Sequence, residues 1–383
     1  MADRPHRRVP RRRRVLIAGN ICGLLALPIS GILAALAGPA AGLALDPAAL
    51  VAAASSSGVT GVAYIPDDTL LASGYSDGVL RLWELATARV HGPVLRVGSG
   101  PVGGVAFNPT GSMVAAGDSD GTIGLWDPAT GQQARPSLHA GSGVHGVAFS
   151  PDGKLLASAQ ANGAIELWYP ATGQQARSPL QAGSAVNGVA FSPSGELLAS
   201  AQADGTVRLW NLTTGQPSGS PLQAGSAVNG VAFSPNGSLV AGAGADGTVR
   251  LWNLATGQPS GSPLQAGSAV NGVAFSPDGK LVAGAGADGT VRAWDPATGQ
   301  PAGSPLRVDS AVNGVAFSPD GHQLAGADAN GAVTLWNTEA SWPASPGTNW
   351  TVLIASVVAI AVAAAAVALT TREILRARSS GRK

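Results

Sequence analysis

Seven tryptophans, Trp83, Trp126, Trp168, Trp210, Trp252, Trp294 and Trp336, stand 43 residues apart once and 42 apart five times. A period of that length admits few folds, because each unit is one supersecondary module that buries its apolar face only against a neighbouring copy. Stacked in a line such modules make a solenoid, and closed on themselves they make a propeller. The unit reads most cleanly over residues 270–306, as VNGVAFSPDGKLVAGAGADGTVRAWDPATGQPAGSPL.

Strand and turn signals alternate within the unit. Residues 228–235, 239–243 and 248–252 read as strands, a fourth is expected near 262–266, and Asn236-Gly237 and Asp246-Gly247 mark the turns between the first three. Such pairs favour tight hairpins because glycine accepts positive φ and the acid or amide bonds its own backbone. Alternate side chains then face opposite neighbours, the small residues of VAGAGA letting sheets approach near the centre and each tryptophan filling the wider outer gap. Burying one indole removes roughly 150–250 Å², about 4–6 kcal/mol before entropic corrections. A large core is therefore available without disulfides, and the lone Cys22 allows none within the chain.

Charge divides the chain into three. Seven arginines lie in residues 1–14, five basic residues lie in 372–383, and between 46 and 339 eleven basic residues face twenty acidic ones. The repeats are thus acidic, which excludes nucleic acids and other polyanions as their partners. The basic ends flank apolar runs. Residues 351–369 are uncharged over nineteen positions, enough at about 1.5 Å per residue to cross a hydrocarbon core of roughly 30 Å. The expectation is a transmembrane helix over 350–370, with Trp342 and Trp350 as interfacial anchors, a linker over 339–349 and a basic cytoplasmic tail over 371–383. Residues 15–45 follow the basic tail 1–14 and read as a transmembrane anchor or a signal sequence. The run is longer than a usual signal core, yet Ala35-Leu36-Ala37 offers a cleavage pattern. Positive residues mark the cytoplasmic side, so both termini are expected in the cytoplasm and the repeats across a cell membrane, the N-terminus being lost if the first segment is cleaved.

The phrases GVAFSPDG, LLAS and DGTVRLW, with Asp127 or Asp295 after the tryptophan, resemble those of the WD-repeat (WD40-type) family over about three quarters of the chain. The resemblance implies an all-β fold, a seven-bladed β-propeller over 46–338, flanked here by the two membrane segments. One family feature is missing. The histidine of the usual Gly-His pair, which bonds the turn aspartate, has no counterpart in AGSAV, and the serine of LLAS becomes Gly242 and Gly284 in two repeats. The ring is therefore expected to depend on apolar packing more than on buried polar networks. The last repeat lacks a fourth strand before the second apolar run, and alignment of Gly61 with Gly314 places residues 50–55 where that strand belongs, as the outer strand that closes the ring and removes an open edge.

No nucleotide loop, zinc-type cluster or nucleophile elbow occurs, and His91, His139, His145 and His322 occupy different repeat positions. The reading is a protein without catalysis, cofactor or metal. Asp77, Asp120, Asp204, Asp246 and Asp288, with Asn162 and Asn330, form a ring by symmetry. Such residues are expected to serve their own turns, since ligands spread around a ring are too far apart for one ion. The second residue of each first strand is the stronger candidate: Thr60, Gly103, His145, Asn187, Asn229, Asn271 and Asn313. The family resemblance implies partner contact there and at the residue before each turn acid: Ser76, Ser119, Ala161, Ala203, Ala245, Ala287 and Ala329. The weightier reading for the asparagines is turn hydrogen bonding or solvation. Arg81, Arg208, Arg250 and Arg292, with Glu166 replacing one of them, read as a solvated blade surface. The Ala-, Gly- and Arg-rich composition looks bacterial. The expected function is a membrane-anchored extracytoplasmic scaffold that binds a protein or cell-envelope ligand, with a transmembrane sensor as the alternative.

Overall fold

The computed structural model describes residues 56–342. They form seven antiparallel sheets in chain order, and the first strands of successive sheets pack side by side until the seventh meets the first. These innermost strands are Val59–Tyr64, Val102–Phe107, Val144–Phe149, Val186–Phe191, Val228–Phe233, Val270–Phe275 and Val312–Phe317. In blade one the order from the centre outward is Val59–Tyr64, Leu70–Tyr75, Val79–Glu84 and Arg89–Arg96. Blades two to six follow the same plan with a fourth strand of two residues, such as Leu264–Gln265 in blade five. Asp-Gly turns join second to third strands, Gly247 taking a φ of 84° that a side chain would strain.

Each tryptophan packs toward the preceding blade. Trp252 of blade five lies with Ala199, Ala201, Val207 and Leu209 of blade four, all of them buried. The alternation Leu-Ala-Ser-Ala then makes sense, since small residues of one sheet receive the indole and valines of the next. The indoles of blades one, three and four donate to a buried serine, Trp83 to Ser73 at 2.7 Å, Trp168 to Ser158 at 3.1 Å and Trp210 to Ser200 at 3.0 Å. In blades five to seven glycines stand there, and Trp252, Trp294 and Trp336 close onto bare backbone, leaving about 3 Å or less at Gly242 and Gly326 for any Cβ. Part of the family's polar network therefore survives in three blades and is replaced by packing in three others.

Among the described residues blade seven has three strands, Val312–Phe317, Gln323–Asp328 and Val333–Asn337. The segment expected to add a fourth, 50–55, lies outside the described residues, as do both segments expected to cross a membrane. Among the described residues no helix is long and apolar enough to do so. Blades seven and one nevertheless meet directly, with the Asn313 amide donating to the Val59 carbonyl at 2.7 Å and the Asp320 N–H to the Asp68 carboxylate at 3.0 Å.

The assignment of Trp342 as an interfacial anchor is corrected by the structure. After the last strand the chain forms a short helix, Thr338–Ser341, capped by the Asn337 side chain accepting from the Ala340 N–H at 2.9 Å. Trp342 then folds back into the core between blades six and seven and is 4% exposed. The repeat continues past residue 338, so the expected linker does not start at 339.

Candidate functional site

The seven candidates at the second position of each first strand share one backbone feature. In every blade the pairing of first and second strands slips there by one residue, as when Val228 faces Gly244 and Gly230 faces Ala243, which leaves Asn229 unpaired in a β-bulge. The same slip frees Thr60, Gly103, His145, Asn187, Asn271 and Asn313. A bulge re-aims the extra side chain, and here it aims at the next blade. Asn187, Asn229 and Asn271 each donate Nδ2–H to a carbonyl 41 residues on, those of Val228, Val270 and Val312, at 2.9 Å. Asn313 closes the series onto Val59, and the His145 ring approaches the Val186 carbonyl at 3.2 Å. Five of these seams thus carry a side-chain clamp.

Two seams do not. Thr60 turns back to its own blade and donates to the Gly74 carbonyl at 3.0 Å, and Gly103 has no side chain. After the bulge, Gly104, Gly146, Gly188, Gly230, Gly272 and Gly314 each bring an added Cβ within 4 Å of the neighbouring backbone, and Gly61 does not. A Cβ on Gly104 would lie 2.7 Å from the Gly146 Cα, and one on Gly272 would lie 3.1 Å from the Gly314 Cα.

Ser76, Ser119, Ala161, Ala203, Ala245, Ala287 and Ala329 are exposed on the same face. Their N–H groups bond the loop leading into the first strand, as Ala203 does to the Ala185 carbonyl at 2.9 Å. Their small side chains therefore form a rigid outer ring around the half-buried inner one. Of the acids and amides beside them, Asp204, Asp246, Asp288, Asn162 and Asn330 serve their own turns, and the side chains of Asp77 and Asp120 do not. Asp204, Asp246 and Asp288 accept from the threonine two residues on, through both its N–H and its hydroxyl, and Asn162 and Asn330 accept from the N–H of Ala164 and Ala332. Asp120 accepts from the Ser99 hydroxyl. Asp77 lends its backbone carbonyl to Arg96. Burial pushes Asp246 up, but the Thr248 hydroxyl and the Arg250 guanidinium outweigh it and hold the carboxyl below its ordinary range.

The arginine stripe departs from expectation. Arg250 and Arg292 are about one quarter exposed and turn toward the acids of their own blades, Asp246 at 2.8 Å and Asp288 at 3.6 Å. Arg81 lies 4.3 Å over the Tyr75 ring. The second-strand residues paired with these arginines are small, Gly242 and Gly284 opposite Arg250 and Arg292 and Ser73 opposite Arg81. Glu166 is buried as well, at 7% exposure.

Sequence reasoning passed over the last residue of each second strand. Tyr75, Asp118, Gln160, Gln202 and Asp328 are all at most 1% exposed. Asp328 accepts from the Thr334 hydroxyl at 2.7 Å, and burial pushes its carboxyl up to about 6. The available signal was variability at one position of a nearly constant repeat.

Seven antiparallel wedges packed in a closed ring, five of the seven seams tied by a side chain at a central bulge and each wedge pinned by an outer indole, define a WD-repeat β-propeller. Residues 52–263 match the family described as IFT122 first beta-propeller, and residues 259–295 and 303–337 match WD domain, G-beta repeat. The first match spans more than half of the chain, and the protein belongs to that family. Propellers of this kind are non-catalytic scaffolds. No curated protein matches the chain.

Proposed function

We propose that the protein is a membrane-anchored interaction scaffold of bacterial type, whose propeller stands outside the cell membrane and offers its Asp-Gly face to a protein or cell-envelope ligand. The observation that carries this reading is the double ring on that face. An exposed circle of small residues from Ser76 to Ala329 surrounds the polar circle of Thr60, His145, Asn187, Asn229, Asn271 and Asn313. The clamp uses one amide hydrogen of each asparagine, so a second donor and an acceptor remain per residue. The anchoring part of the reading rests on the apolar segments 15–45 and 350–370 with their basic flanks.

Affinity capture with the full-length protein tests the first part. Replacing Ala203, Ala245 and Ala287 together by arginine should abolish recovery of the partner while leaving the melt cooperative, and unchanged recovery would remove this face from the account. A reporter active on only one side of the membrane, inserted at the exposed Gly219, tests the second. Cytoplasmic activity there would overturn the topology.

A further inference from the structure

At the rim opposite the Asp-Gly turns, a groove runs between neighbouring blades where the third strand ends and the fourth begins. Between blades five and six it holds about 380 Å³ and is lined by Leu251, Pro263, Trp294, Pro296 and Pro301, with Gln300 at its edge. It recurs between blades three and four at about 460 Å³, where Arg177 reaches across to the Leu212 and Thr214 carbonyls at 2.7 and 3.0 Å. Between blades six and seven the molecule fills the same groove itself. Trp342 stands 42 residues after Gln300, at the same place in the repeat. Its indole is buried, donates Nε1–H to the Ser304 carbonyl at 3.3 Å, and lies 3.1 Å from where a Cβ on Gly303 would stand. Ser304 and Gly303 are the 42-residue counterparts of Ser262 and Gly261, which line the open groove.

We propose that the groove between blades five and six binds a tryptophan side chain presented by a partner protein. The filled seam shows what the repeat accommodates there: an indole packed on a buried tryptophan, with its N–H spent on the serine carbonyl before a proline. An aromatic side chain with a polar edge suits a site of apolar walls and one backbone acceptor. One difference sets the expected strength. Leu251 occupies the position of Ala293 in the filled seam, so the open groove is shallower, and a free segment lacks the effective concentration that the chain gives Trp342. This rim is distinct from the face proposed above, and the two readings fail independently.

The test uses the full-length protein and a synthetic peptide of its own residues 338–343, Thr-Glu-Ala-Ser-Trp-Pro, carrying a photoreactive group at its N-terminus. Cross-links should map to residues 260–265 and 296–301, and alanine in place of the peptide tryptophan should cut their yield about tenfold, the scale of one well-buried aromatic contact. Gln300→Trp reproduces the filled seam, and should also cut the yield about tenfold with the melting temperature unchanged or higher. Leu251→Ala copies the neighbouring lining and should raise it. Equal yields from the two peptides would overturn the proposal, as would a Leu251→Ala yield that falls alongside an undiminished one in Gln300→Trp. A rise in yield on Trp350→Ala would show that the chain's own tail is the occupant, and would also overturn it.

Discussion

The seam between blades five and six and the seam between blades two and three join the same pair of strands by different means. At the first, Asn229 reaches 2.9 Å to the Val270 carbonyl, and a Cβ on Gly230 would keep 3.4 Å from the Gly272 Cα. At the second, Gly103 and Gly104 face blade three with bare backbone, and a Cβ on them would come within 2.2 Å of the Val144 oxygen and 2.7 Å of the Gly146 Cα. Where a side chain ties two blades, the backbones stand apart by enough to admit it. At Gly103 and Gly104, where none does, the backbones close in and dispersion between main chains takes over, whereas at the other unclamped seam, between blades one and two, a Cβ on Gly61 would meet nothing within 4 Å. The repeat thus tolerates exchange of a hydrogen bond for closer packing at a fixed position, and it makes the same exchange at the rim where Gly242, Gly284 and Gly326 replace serine beneath the indoles.

The largest expected effect separates the two seams by steric demand. Gly104→Ala should lower stability by about 3 kcal/mol and Gly230→Ala by less than about 1, because only the first forces backbone apart. Both are read from denaturant midpoints, and equal losses would break the comparison. Removing the clamp comes next. Asn229→Ala should cost about 1–2 kcal/mol by leaving the Val270 carbonyl unpaired, whereas Thr60→Ala, which loses a bond within one blade, should cost about half as much. Ser200→Ala should then cost about 1 kcal/mol by stranding the Trp210 N–H, with no counterpart loss at Gly242, where no hydroxyl exists. The smallest effect is a pH dependence at the clamped seam of blades six and seven. Burial holds the Asp328 carboxyl near 6, against 3.8 for a free one, so the folded state binds the proton more tightly than the unfolded state. Its contribution to stability is fully present below pH 4 and is lost as pH rises through 6. The melting temperature of the wild type relative to Asp328→Asn should therefore fall by about 2 °C between pH 4.5 and pH 7, and a flat difference would remove the buried carboxyl from the account.

The period of the tryptophans and the spacing of Asp-Gly and Asn-Gly pairs carry the number of blades and most strand positions, because both follow from local backbone preference and from a length that recurs. The clamps were less legible. Asn229 lies in a run that reads as plain strand, and nothing local announces the one-residue slip, which depends on the partner strand's register. Trp342 reads as the flank of an apolar run when judged by its neighbours, although its place 42 residues after Gln300 aligns it with a loop of the repeat. The arginines of the third strands alternate with apolar residues and so read as solvated, but Arg81 lies over the Tyr75 ring of the strand beside it and Arg250 turns onto Asp246. In each case the missing information was what lies opposite the residue, which a single strand cannot state.

The closed ring is tested most directly by through-hydrogen-bond scalar couplings between the side-chain amides of Asn187, Asn229, Asn271 and Asn313 and the carbonyl carbons of Val228, Val270, Val312 and Val59. All four couplings should be present, the last joining blade seven to blade one across the ends of the repeat array. A spectrum with the first three and without the Asn313 to Val59 coupling would describe an open array and contradict the closed propeller.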